Sequence, residues 1–92
     1  MRKIEVGNKY KHFKGHIYTV IAIGYDSEKY NENNPSESLV VVYQNVESKE
    51  VWVRPYEMFN SLVDKDKYPN VKQKYRFQKV NEWLWVVKWI YG

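Results

Sequence analysis

Alternation of apolar and polar positions predicts short β-strands along most of the chain. The strongest segment is His16 to Tyr25, in which β-branched and aromatic residues dominate and both faces are apolar, as expected of a central strand. Gly7 to Phe13 precedes it across Lys14-Gly15, which is a turn signal because glycine accepts a positive φ. We therefore predict that these two strands form a hairpin.

The same pattern predicts three further strands. Leu39 to Gln44 and Glu50 to Arg54 flank a polar turn and form a second hairpin, and Tyr75 to Val80 is predicted as a fifth strand. Between the hairpins, residues 26–38 are polar and contain Asn33-Asn34-Pro35-Ser36, so a long polar loop is expected there.

A short helix is predicted after Arg54. Pro55 has a fixed φ that suits the first position of a helix. Apolar residues then recur at helical spacing over one or two turns: Met58, Phe59, Leu62 and Val63. Met58 and Phe59 are expected in the core, and so is Phe13.

These elements predict a mainly β protein: a small five-stranded antiparallel SH3-like barrel or a bent sheet, with one short helix. A chain of 92 residues has room for one domain. Residues 81–92 form an apolar, tryptophan-rich extension. Asn81 would cap a helix there, whereas alternate tryptophans would line one face of a strand, and both alternatives stay open.

Composition narrows the chemistry. The chain has no cysteine, which excludes disulfides, thiol catalysis and cysteine-based zinc sites. The first residues lack an apolar signal region, and the longest apolar run, Trp83 to Val87, is far too short to cross a bilayer. We expect a soluble protein of the bacterial or phage-infected cytoplasm with no membrane partner.

The net charge of +4 is unevenly distributed. Residues 1–24 and 51–92 each carry +4, and residues 25–50 carry −4. If the basic ends meet in space, they form a positive face for an anionic partner such as nucleic acid. The competing interpretation is an ordinary mixed surface, since the basic residues do not form a dense cluster in sequence.

Several short motifs occur in a fixed order: Tyr10-Lys11-His12-Phe13-Lys14-Gly15, Tyr18, Asp26-Ser27-Glu28, Leu39-Val40-Val41-Val42-Tyr43-Gln44, Trp52-Val53-Arg54-Pro55 with Met58-Phe59, and Arg76-Phe77. Together they resemble domain-of-unknown-function family 1653 over about Gly7 to Phe77. The resemblance implies a single-domain cytoplasmic bacterial protein without an established activity, cofactor or catalytic residue. The loop at residues 26–38 and the extension at residues 81–92 depart from that pattern.

Arg54 is the leading candidate for a binding residue. It precedes a proline, so its backbone is expected to be extended, and its guanidinium can bind a carboxylate or phosphate through two hydrogen bonds. Neighbouring basic and aromatic residues would add phosphate contacts and base stacking, or would line a peptide groove: Lys11, His12, Lys14, Tyr18, Tyr43 and Trp52. The structural alternative is an ion pair between Arg54 and a carboxylate such as Glu57.

The function predicted from these residues is a non-catalytic binding module for an anionic ligand, either nucleic acid or a nucleotide. The alternative is a protein-interaction or homodimer module that uses Trp83, Trp85 and Trp89. An enzyme that acts on a small anionic substrate is a further alternative. It is a remote one, because no catalytic motif is complete. His12 and His16 lack a third ligand at a fitting spacing, so neither a metal nor another cofactor is expected.

Overall fold

Five antiparallel strands form one sheet in the computed structural model, which describes residues 2–81. The strands are β1 (Lys9–His12), β2 (Ile17–Tyr25), β3 (Leu39–Asn45), β4 (Val51–Pro55) and β5 (Phe77–Lys79). A single helical turn, α1 (Tyr56–Phe59), follows β4, and a 3-10 helix (Pro35–Ser38) lies in the long segment between β2 and β3. The extension from residue 82 onward, with its alternative helix and strand predictions, lies outside the described residues.

The order of strands across the sheet is β4-β3-β2-β1-β5. Both predicted hairpins, β1–β2 and β3–β4, are confirmed, and the long apolar β2 lies in the centre. The register between β2 and β3 shifts at Ile21, which leaves this residue 42% exposed despite its central strand. Such a bulge increases the local twist of the strand.

The prediction left two arrangements open, a closed barrel and a bent sheet. The sheet is not closed into a barrel, so it has two free edges within residues 2–81. Within residues 2–81, β4 and β5 each pair with one strand only. Phe59 of α1 packs on the core face against Tyr10 of β1, Tyr43 of β3 and Phe77 of β5. The helical turn therefore covers the core face that closure of the sheet would otherwise bury.

Gly15 makes the tight turn between β1 and β2. Its φ of +116° lies in a region of backbone conformation that residues other than glycine rarely adopt. The backbone N–H of Gly15 donates to the carbonyl of His12 at 2.8 Å, and the N–H of His12 donates to the carbonyl of His16 at 2.8 Å. The turn holds His12 and Lys14 at one end of the sheet.

The helix has a single turn, the shorter of the two predicted lengths. Pro55 ends β4 instead of starting the helix, and the helix ends at Phe59. Leu62 is 55% exposed and forms an isolated bridge with Tyr75, so no second turn follows. The core prediction for Phe59 is confirmed, whereas that for Met58, which is 47% exposed, is wrong.

Aromatic side chains form most of the core. Phe59 and Phe77 stack with ring centroids 4.1 Å apart, and the rings of Tyr10, Tyr18 and Tyr43 surround them. The aliphatic members of the core are Ile4, Val20 and Val41. A small domain gains apolar burial efficiently from rings of this size.

Candidate anion-binding site

A cleft of about 300 Å³ lies beside the aromatic core. Its lining combines basic, aromatic and acidic side chains, and we call it the basic cleft: His12, Phe13, Lys14, Arg54, Asp64, Lys67, Tyr68 and Arg76. Among the lining residues within 2–81, four basic side chains face one carboxylate, which gives a charge of +3 when His12 is neutral. A positive concave surface concentrates anions, because its low-dielectric walls focus the electric field.

Arg54 is oriented by the core. It lies on the same sheet face as Val41, with which it pairs across β3 and β4. Its Nε donates a hydrogen bond to the hydroxyl of buried Tyr43 at 3.2 Å, and its guanidinium carbon lies 5.7 Å from the ring centroid of Phe77. Within residues 2–81, no carboxylate lies within ion-pair distance of Arg54. The predicted alternative of an ion pair with Glu57 is therefore not adopted, and the terminal nitrogens of Arg54 keep their hydrogen-bonding capacity.

His12 ends β1 and lies among the cations of the cleft. Burial, and then the charges of Arg54, Lys14 and Arg76, lower the pKa of His12 from 6.5 to about 4. Its Nδ1 accepts a hydrogen bond from the backbone N–H of Lys14 at 3.1 Å, which places the ring proton on Nε2. At neutral pH His12 is therefore an uncharged donor.

This pKa predicts a loss of stability in acid. The unfolded chain binds a proton at His12 below about pH 6.5, but the folded protein does so only below about pH 4. The free energy of unfolding therefore does not depend on the titration of His12 above about pH 6.5, and it decreases as the pH falls from there towards 4. The full linkage value of roughly 3 kcal/mol falls to about 1–2 kcal/mol after discounting for partial solvent exposure.

Urea unfolding measured at several pH values between about 4 and 6.5 checks this prediction. The quantity compared between the wild type and the variants is the change in the free energy of unfolding with pH. His12→Asn keeps a side-chain acceptor for the Lys14 N–H and should show a shallower pH dependence than the wild type. His16→Asn removes only the smallest of the contributions that lower the pKa of His12, so it should change the pH dependence much less than His12→Asn does. Identical curves for wild type and His12→Asn would contradict the assignment.

Three rings form one wall of the basic cleft. His12 stacks on Phe13 with centroids 4.5 Å apart, and Phe13 contacts Tyr68 at 4.8 Å. The Nζ of Lys14 lies 5.9 Å from the Phe13 centroid and 5.8 Å from that of Tyr68. Cationic groups next to aromatic faces suit a ligand that has both a phosphate and a flat ring.

Five members of the cleft were not predicted as site residues, and one of them, Phe13, was expected in the core. Arg76 precedes β5, and its carbonyl accepts the N–H of Phe13 at 3.0 Å, which brings it beside the first hairpin. Asp64 accepts the N–H groups of Asp66 and Lys67 through its Oδ1, and this turn sets Lys67 and Tyr68 at the cleft. The alternation of Asp64-Lys65-Asp66-Lys67 marks a turn, but no local pattern links it to Arg54.

The structure brings three of the predicted residues together, namely His12, Lys14 and Arg54. Tyr43 lies beneath them in the core, 4% exposed, and Tyr18 packs on Tyr43 and Phe77 as a core neighbour.

Lys11, Trp52 and the tail tryptophans are not part of this lining. Lys11 is exposed on the sheet face opposite Tyr10 and His12, because successive strand residues point to opposite faces. Trp52 shares the face of Arg54 but lies outside the cleft lining, and it is 49% exposed. The predicted interface residues Trp83, Trp85 and Trp89 lie outside the described residues.

Other features of the described chain offer less chemistry. A second hollow, of about 470 Å³, is lined among residues 2–81 by Asn8, Lys79, Val80 and Asn81, which include one charged side chain and no aromatic ring. Over residues 2–81, no three His, Asp or Glu side chains are grouped as metal ligands. In the same range, no helix is long and apolar enough to cross a membrane.

Fold and site together define a small mainly β protein with an open antiparallel sheet and a basic, aromatic cleft. A family model described as "Protein of unknown function (DUF1653)" matches residues 8–79, which is most of the chain, and the protein belongs to this family. This confirms the resemblance seen in the ordered motifs. Comparison with curated proteins finds no match, and comparison with solved structures finds none either.

Proposed function

We propose that this protein is a non-catalytic module that binds an anionic ligand, a nucleic acid or a nucleotide, in the basic cleft. The observation that carries the proposal is the state of Arg54. Its Nε is held by Tyr43, and its guanidinium has no carboxylate partner within residues 2–81. A guanidinium fixed in this way loses little conformational freedom when it binds an oxyanion, so the ordering cost of binding is reduced.

The composition of the lining favours a nucleotide over a simple anion. The cations supply phosphate contacts, and the partly exposed rings of Phe13 and Tyr68 lie beside them. The carboxylate of Asp64 adds an acceptor for a sugar hydroxyl or an exocyclic amino group. We place this binding in the bacterial cytoplasm, which fits a chain without cysteine.

Salt dependence of binding tests the proposal. The probe is a single-stranded oligonucleotide with a 5′-phosphate and a fluorescent label at its 3′ end, and its anisotropy is followed at about 50 mM and about 200 mM salt. Each neutralised phosphate on a single strand contributes a slope of about −0.7 in log K against log salt. Two or three contacts should therefore weaken binding roughly tenfold over this range. Absence of binding at the lower salt would refute the proposed function.

A further inference from the structure

Arg76 has a buried hydrogen-bond donor without an acceptor. Its Nε is inaccessible to solvent and makes no hydrogen bond within residues 2–81, although the side chain lines the basic cleft. A buried donor of this kind carries an uncompensated desolvation cost. The terminal nitrogens of Arg76 make no hydrogen bond within residues 2–81, so the side chain keeps donors for an anion in the cleft that it lines.

Arg76 and Arg54 act on the same space. Both line the cleft, and both charges contribute to the lowered pKa of His12, so each lies near the imidazole. Together with the Nε2–H of His12 and the ammonium of Lys14, they present donors from four side chains. Two guanidiniums around one neutral donor are a suitable arrangement for an oxyanion with several free oxygens.

We propose that the basic cleft binds a terminal phosphate, a phosphomonoester dianion, in preference to the internal phosphodiesters of a strand. This inference rests on the proposed function and names its ligand class. An internal phosphodiester has one negative charge and two free oxygens, whereas a terminal phosphate carries up to two charges and three free acceptor oxygens at neutral pH. The lining charge of +3 and the number of donors match the terminal group.

The size of the cleft leads to the same conclusion. Its volume of about 300 Å³ is at the lower end of small-molecule sites. Proteins that hold the middle of a single strand use a long basic groove with several exposed stacking rings. Here the cations converge on one cleft, where His12 stacks on Phe13 and the ring of Tyr68 is tilted against that of Phe13. This arrangement suits one nucleotide unit at a strand end, or a free mononucleotide.

The test compares oligonucleotides of one sequence that differ only at their ends. Competitors carry a 5′-phosphate, a 3′-phosphate or hydroxyl groups at both ends, and each displaces the labelled 5′-phosphorylated probe from wild-type protein at low salt. We expect at least one phosphorylated end to bind about fivefold or more tighter than the hydroxyl-ended strand. The better of the two phosphorylated strands identifies the end that is recognised. Inorganic phosphate alone measures how much of the affinity the terminal group provides.

If neither phosphorylated strand binds about fivefold or more tighter than the hydroxyl-ended strand, the terminal-phosphate inference is overturned, and the proposed function still stands because the strand binds. Failure of every oligonucleotide to bind overturns both. Arg76→Gln should reduce the preference to below about twofold, whereas Lys72→Gln, which removes an equal charge from an exposed position outside the cleft, should keep it. The comparison of wild-type competitors decides the question even if Arg76→Gln does not fold.

Discussion

Replacement of Phe77 by alanine should lower the free energy of unfolding by about 3–5 kcal/mol. The ring is 1% exposed and stacks on Phe59 with centroids 4.1 Å apart, and it also contacts Tyr43, Tyr18 and His12 at their edges. Removal of the ring therefore leaves a cavity at the point where β1, β3, β5 and α1 meet. A domain of this size has a total stability of about 5–14 kcal/mol, so much of it would be lost.

Urea unfolding followed by tryptophan fluorescence measures this loss. The control is Met58→Ala, which also truncates a large apolar side chain to alanine but at a residue that is 47% exposed, and it should cost less than about 1 kcal/mol. Equal losses at the two positions would show that the aromatic cluster does not form the centre of the fold.

Most of the strands could be predicted from local pattern. β2 combines β-branched residues with aromatic ones, and the turn before it contains Gly15, a residue suited to its φ of +116°. Both signals depend on neighbours in sequence, so they need no knowledge of tertiary contacts. The hairpins followed directly.

Closure of the sheet could not be predicted in this way. It depends on whether Phe59 occupies the core face, and that is settled by contacts with residues far away in sequence, Tyr10 among them. The burial of Phe59 instead of Met58 is a related case. Met58 and Phe59 are adjacent in a single helical turn, so the sequence alone does not decide which of them is buried until the orientation of the helix is known.

The residues of the candidate site also differ in how far local sequence could predict them. Local sequence could place three of them: Arg54 comes directly before a proline near the end of β4, and His12 and Lys14 lie at the turn marked by Gly15. Arg76 reaches the cleft only because β5 pairs with β1, a contact between distant segments. Lys11 belonged to the correct motif, but strand alternation directs it to the opposite face from His12.

Arg54 should contribute more to ligand binding than any other residue of the basic cleft. Arg54→Gln removes the charge and the paired donors, which are worth about 1.5–3 kcal/mol when they bind a charged group. The affinity for the 5′-phosphorylated oligonucleotide should therefore fall about 10- to 100-fold at low salt. The loss of stability should stay near 1 kcal/mol, because Tyr43 loses only one hydrogen-bond donor.

The matched control is Lys29→Gln, which removes one positive charge from an exposed position in the segment between β2 and β3, outside the cleft. It should weaken binding less than about threefold, since it changes only the net charge. The decisive measurement is the anisotropy titration of wild type, Arg54→Gln and Lys29→Gln side by side at low salt. A loss of at least about tenfold confined to Arg54→Gln is the predicted result, and equal affinities of the two variants would contradict binding in the basic cleft.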